Sequence, residues 1–286
     1  MTAQLEPVLT QHLFGPLHEE LMSLLRSLGE EQWTARTLAG EWQVRDVAAH
    51  LLDGQVRRLS LQRDQLRLEA DTRGGDSYED LVQFLNRLNH MWVDAFRRVS
   101  PTLLIGMLDQ IGPQLAKFYE SLDPMAPAFF PVAWAGQQES LCWMDVGRDY
   151  TELWHHQAQI RDAVGAPPLL SQEWLTPLLE LSVHAIPVSL SGAPATAGTT
   201  VTFTVLGDTG GSWTATAAGR TWALEAGRPD SPSAEVRLSP DDAWRLFYNA
   251  LPMDTALERA EVHGDPDLAR RLLGARSVMV SRRSTP

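Results

Sequence analysis

The texture of the sequence changes near residue 190, and that change limits the fold more than any other feature. Before it, apolar residues recur every three or four positions; after it, they alternate in short runs with a period of two. A chain of 286 residues also exceeds what one core of ordinary size needs. The reading is therefore multidomain, α and α+β. Residues 1–190 form a helical bundle, and residues 191–286 form a small α+β domain with an antiparallel sheet. A hydrophobic fraction of 44% supplies apolar material for both cores.

Leu9, Leu13, Leu17, Leu21, Leu25 and Leu28 predict a helix over about 6–29, ended by Gly29. Further helices are predicted over about 43–68, 78–99, 101–122, 142–164 and 171–187. The run Arg73-Gly74-Gly75-Asp76 is a break, and Ser77 followed by Asp80 reads as an N-cap. Pro101 suits a first helical turn, and Gly165 before Pro167-Pro168 is a stop. Pro124, Pro127, Pro131 and Gly136 make 123–140 a structured loop. Residues 191–200 are a small-residue linker. Strands follow at 201–205, 213–216, 221–225 and 234–238, with turns at Gly210-Gly211 and Gly219-Arg220. Ser239 caps a helix through Leu246, and a last helix covers about 266–274.

A net charge of −12 and a pI near 5.1 disfavour a nucleic-acid partner and suit a small-molecule one. Cys142 is the single cysteine, which excludes an internal disulfide and a cysteine-rich zinc site; it reads as a small buried hydrophobe. The first residues lack a basic segment followed by an apolar run, and no stretch approaches the roughly 18–20 apolar residues of a spanning helix. A cytoplasmic location without a membrane partner is expected.

The sharpest chemical feature is Glu152-Leu-Trp-His155-His156. Residues four apart share a helix face, so Glu152 and His156 can both reach one metal ion. His155 projects opposite the aliphatic stripe of Val146, Tyr150, Leu153, Ile160 and Val164, toward water, which favours His156 as the ligand. Spacing alone does not settle the matter, because such pairs are more often solvated neighbours on a helix surface. A second run is Trp42-Gln-Val-Arg-Asp46-Val-Ala-Ala-His50-Leu. His50 falls off the stripe of Val44, Val47, Ala48 and Leu51, and the wheel alone reads it as an exposed histidine. His12, His18, His90, His184 and His263 lack a partner at ligand spacing and read as surface or core residues. Trp42 and Trp134 are candidates to line the mouth of a site.

The run from Trp42 to His50 resembles the signature of the DinB-like metal-binding four-helix bundles. Glu152 with His156 resembles the rest of the metal site in the branch that includes mycothiol-dependent maleylpyruvate isomerase. Asp80-Leu-Val-Gln-Phe-Leu-Asn-Arg-Leu-Asn and the change to a C-terminal domain resembling sterol carrier protein are similar to that branch too, so the likeness spans nearly the whole chain. It implies His50, Glu152 and His156 as ligands of one divalent metal, with zinc the first candidate and nickel, manganese or iron as others. Gln157-Ala158-Gln159 departs from the aromatic and aspartate that often follow in the family. The basic residue that the isomerase's C-terminal domain brings to its site has no clear counterpart; Arg220 and Arg237 are unranked candidates.

Three protein ligands leave open positions on a metal, the catalytic pattern. What the resemblance implies is an enzyme in which a low-molecular-weight thiol, mycothiol or bacillithiol, is presented as thiolate to a small electrophile, for isomerisation or S-transfer. It assigns no catalytic residue beyond the ligands. The alternatives are a non-catalytic metal-binding protein and a carrier of lipid or another small ligand with the same fold. No Gly-x-Ser-x-Gly elbow and no Gly-x-Gly-x-x-Gly motif supports a serine-hydrolase or dinucleotide reading.

Overall fold

The computed structural model describes residues 2–66 and 77–281. The end of the predicted second helix and the break at Arg73–Asp76 lie outside the described residues. The chain opens with β1 (Thr2–Gln4) and reaches α1 (Phe14–Ser27) only after a short 3-10 turn. The expected start near residue 6 is thus corrected. Pro16 is tolerated only in a first turn, where its missing N–H costs no helical hydrogen bond, and the helix begins two residues before it.

Next come α2 (Val44–Arg58), continued by a π-type turn, then α3 (Tyr78–Phe96), α4 (Pro101–Glu120) and α5 (Cys142–Val164). Ser77 caps α3 by accepting from the Asp80 N–H, and Gly165 ends α5 with a left-handed φ of 67°. Helices α1, α2, α4 and α5 share one core, and α3 packs on the outer side of α2. Where α1 meets α4, Gly112 lies against His18; a Cβ there would come within 2.0 Å of the imidazole. The helix predicted over 171–187 is split into α6 (Gln172–Ser182) and α7 (Ile186–Ser189). Pro187 cannot donate the amide that a continuous helix would need.

The remaining elements are β2 (Thr200–Val205), β3 (Gly211–Ala218), β4 (Thr221–Gly227), β5 (Ala234–Leu238), α8 (Pro240–Phe247), α9 (Met253–Arg259), β6 (Glu261–Gly264) and α10 (Pro266–Leu272). The sheet order is β1-β4-β3-β2-β5-β6. It departs from a purely antiparallel sheet at one place: β2 and β5 run parallel, with Phe203 opposite Val236. After the β2-β3-β4 meander the chain returns to the free edge of β2, so β5 enters in the same direction as β2. The strand β1 pairs with β4, which ties the N-terminus of the helical part to the C-terminal sheet. Val201, Phe203, Val236, Leu268 and Leu272 fill the layer between sheet and helices, and Phe203 meets Phe247 edge-on at 5.3 Å.

Helix α8 brings the sheet unit against the bundle. Trp244 meets Trp154 edge-on at 5.8 Å, Arg245 pairs with Asp162 at 2.5 Å, and the Tyr248 and Ser182 hydroxyls are hydrogen-bonded at 2.7 Å. These contacts fix the C-terminal unit over the outward face of α5.

Candidate metal centre

Helix α2 begins where Asp46 accepts a hydrogen bond from the Gln43 N–H, a first-turn carboxylate that satisfies a free amide. One turn further on, His50 leaves the helix toward α5. Its expected exposure is corrected, since its side chain is only 11% exposed. The wheel of α2 alone cannot register that α3 covers the flank, with the Trp92 Nε1–H donating to the Ala49 carbonyl, or that α5 closes the other side. Trp42 lies against the His50 ring at 5.0 Å and the His156 ring at 6.5 Å. Trp42 stands beside both histidines, whereas Trp134 is buried elsewhere. The Trp42, Asp46 and His50 spacing thus has a physical content: a wall, a helix start and a candidate ligand.

From α5 come Glu152 and His156. One ligand atom from each of His50, Glu152 and His156 lies within 4.8 Å of the other two. Glu152 Oε2 is 3.4 Å from His156 Nε2 and 4.0 Å from His50 Nε2. Two donors on a tetrahedral ion of first-row size lie about 3.4 Å apart, given metal–ligand distances of roughly 2.0–2.2 Å. The three predicted residues converge on that scale.

His156 Nδ1–H donates to Gln159 Oε1 at 2.8 Å, which leaves Nε2 as a lone pair turned toward a carboxylate oxygen. Two acceptors that face each other at 3.4 Å require a cation or a proton between them. His50 Nδ1 is buried without a hydrogen-bond partner among the described residues. Two imidazoles and a carboxylate are also the chemistry of a borderline divalent ion. The residues fit a metal.

Burial pulls His50 down to about 4 and His155 down to about 3, so both rings are neutral at pH 7. Burial alone would raise Glu152, but His155, His156 and His50 hold its carboxyl well below the ordinary range. Glu152 is therefore charged and keeps 37% of its side chain open, which leaves the cluster reachable from solvent.

His155 does not face water, and that expectation is corrected. It is buried, stacks on Tyr248 at 4.4 Å and donates from Nδ1 to the Thr151 carbonyl at 2.7 Å. Its ring lies 4.0 Å from that of His156. The outward face of α5 is covered by the C-terminal unit, which a helical wheel cannot show. From the C-terminal unit, Tyr248 stacks on His155. Arg220 is exposed at the β3–β4 turn, and Arg237 is paired with Glu235 and Glu261. Sequence reasoning noted Gln159 only as a departure from the family pattern, not as the partner of His156, and it missed Tyr248. Gln159 was detectable as the residue one turn after His156; Tyr248 had no local signal.

The profile of the mycothiol maleylpyruvate isomerase N-terminal domain family matches residues 14–161, more than half of the chain. The chain belongs to this family. Two solved structures share the fold of this family member along most of its length. The mycothiol-dependent maleylpyruvate isomerase superposes with a TM-score of 0.53 at 10% identity, covering 88% of this chain and 90% of that one. A histidine-to-alanine mutant of the same isomerase gives 0.52 at 11% identity, with the same coverage. No curated protein matches the chain. Among the described residues of this family member, no helix is long and apolar enough to cross a membrane.

The neutral histidines carry a stability prediction. Unfolding returns His50, His155 and His184 from about 4, 3 and 4 toward their ordinary 6.5. Below pH 6.5 the unfolded chain then binds protons that the folded chain does not, so stability falls as pH drops toward 4 and is fully present above 6.5. The urea midpoint of the metal-free protein is expected to decline steadily from pH 7 to about 4.5. A midpoint that is flat across that window would contradict the buried, neutral assignment.

Proposed function

We propose that this family member is a metal-dependent enzyme that presents a low-molecular-weight thiol, mycothiol or bacillithiol, to a small electrophile. The outcome is cis–trans isomerisation of an enoate or transfer of sulfur to the electrophilic carbon. The observation that carries the reading is the convergence of His50, Glu152 and His156 at one solvent-reachable point. Zinc is the favoured ion for two imidazoles and a carboxylate, and nickel, manganese or iron also suit them. In this reading the chain divides into a DinB-like bundle over 1–190 and a sterol-carrier-like unit over 191–286.

A divalent ion held by these side chains would supply the Lewis acidity that keeps a coordinating thiol deprotonated at neutral pH. The protein's own residues do the rest. Gln159 fixes the His156 tautomer so that Nε2 faces the site. Trp42 walls one side against water, and the His155–Tyr248 stack closes the face toward the C-terminal unit. The chain offers no readily ionised thiol of its own: Cys142, its single cysteine, is buried, and burial next to Asp145 pushes its thiol up from the usual range. An external thiol is then the natural source of sulfur. The filled layer between sheet and helices supports this reading over that of a lipid carrier.

Purified protein should be assayed with mycothiol and bacillithiol against a panel of enoates, maleylpyruvate included, and epoxides. Turnover is expected to require a thiol, to vanish on chelation and to return with added zinc. Turnover that survives chelation, or needs no thiol, would refute the proposal.

A further inference from the structure

A separate hollow of about 600 Å³ opens between the start of α3, α7 and the C-terminal helices α9 and α10. None of Trp42, His50, Glu152, His155, His156 or Tyr248 borders it. Its lining is divided in character. Trp134, Val188 and Met253 form an apolar wall, and Arg270, Arg271 and Arg276 form a cationic one.

The cationic wall is unusual for this chain. Acidic residues outnumber basic ones by 36 to 24, and Arg58, Arg161 and Arg245, which are buried or half-buried, each have a carboxylate partner: Asp145, Glu20 and Asp162. The side chains of Arg270 and Arg271 make no hydrogen bond or ion pair with any described residue. Arg276 is held only by neutral oxygens, those of Asn249 at 3.2 Å, Leu273 at 2.9 Å and Ala275 at 2.8 Å. Burial without a counter-charge lowers its pKa. Among the described residues that border the hollow, Asp267 is the one carboxylate, against three arginines.

The apolar wall has an unmet need too. Trp134 is 2% exposed, and its indole N–H has no partner among the described residues. A buried donor left unpaired is costly, and such donors are normally satisfied. Arg270 and Arg271, without partners among the described residues, and Trp134 therefore border one concavity, of the size that holds a small organic ligand. A guanidinium is the side chain best matched to a planar carboxylate, and an aromatic wall suits a flat or branched apolar body.

We propose that this hollow is a second binding site, for a small carboxylate that carries an apolar body. The carboxylate engages Arg270, Arg271 and Arg276, and the body lies against Trp134, Val188 and Met253. The site does not depend on the metal cluster.

The test is a 19F NMR titration of the metal-free full-length chain with 4-(trifluoromethyl)benzoate, beside its neutral amide and inorganic phosphate. The carboxylate is expected to bind with a sub-millimolar Kd, and the amide at least ~10-fold more weakly. An Arg270→Gln/Arg271→Gln variant, altered only at exposed side chains, should weaken the carboxylate ~10-fold and leave the amide unchanged. His156→Ala should leave both titrations unchanged, which separates this site from the histidine cluster. Any of four results overturns the proposal: no binding of the benzoate up to about 5 mM; equal binding of acid and amide; an unaffected double variant; or loss of binding in His156→Ala. Displacement of the benzoate by an equal concentration of phosphate would overturn the role of the apolar body.

Discussion

Replacing His156 with alanine is expected to leave the purified protein almost free of metal, where the wild type carries about one ion per chain. The substitution removes one of the three proposed protein ligands and leaves Glu152 facing His50 alone, across 4.0 Å. The loss of affinity should exceed the roughly 10–100-fold that removal of an outer-shell partner costs. Gln159→Leu supplies that milder comparison, because it removes only the acceptor that orients the His156 ring. His155→Phe is the negative control: it keeps the stack on Tyr248 and takes away no ligand atom. Elemental analysis of the four proteins, with circular dichroism to show that each is folded, decides the matter. Equal metal in the wild type and His156→Ala would remove His156 from the site, and loss of metal in His155→Phe would show that the wrong histidine had been chosen.

That histidine choice shows what a sequence can and cannot carry. Glu152 and His156 are legible because four-residue spacing places them on one face whatever surrounds the helix. Helix α5 is legible over Cys142–Val164 for a similar local reason, the glycine and prolines that follow it. His50 is different. Its own helix argues for exposure, and its burial comes from α3 and α5, so only family resemblance pointed to it. The buried position of His155 depends on Tyr248, which lies in another part of the fold. The same division holds in the sheet. The strand over Ala234–Leu238 follows from alternation, but alternation is silent on direction, so its parallel pairing with β2 was not visible. The strand Thr2–Gln4 is three residues long and finds its partner in β4, near the other end of the chain. Short elements whose stability comes wholly from distant partners leave no periodic trace.

Arg58→Leu is expected to destabilise the protein by about 3–5 kcal/mol, the cost of leaving a buried charge without its partner. Arg58 is 3% exposed and forms a double hydrogen bond to Asp145, at 2.9 and 2.8 Å, plus one to Asp149 at 2.9 Å. Arg148 completes the group through both aspartates, and the Tyr119 hydroxyl donates to Asp149. Two arginines balance two carboxylates. Leucine fills part of the volume but leaves Asp145, 1% exposed, with Arg148 and the Phe130 N–H as its remaining partners. The expected readout is a fall in the urea midpoint with an unchanged m-value. Adding Asp149→Asn to Arg58→Leu restores the charge balance and should recover part of the loss, which separates electrostatics from packing. A loss below about 1 kcal/mol in the single variant would mean that the group is solvated like a surface pair. The consequence reaches the metal centre. Arg58 lies eight residues beyond His50 on α2, and Asp145 and Asp149 lie before Glu152 on α5, so the two helices run antiparallel and Arg58 sits about 12 Å along α2 from His50. It sets the register in which His50 stands opposite Glu152. A variant that loosens it should therefore bind metal more weakly even at temperatures where it remains folded.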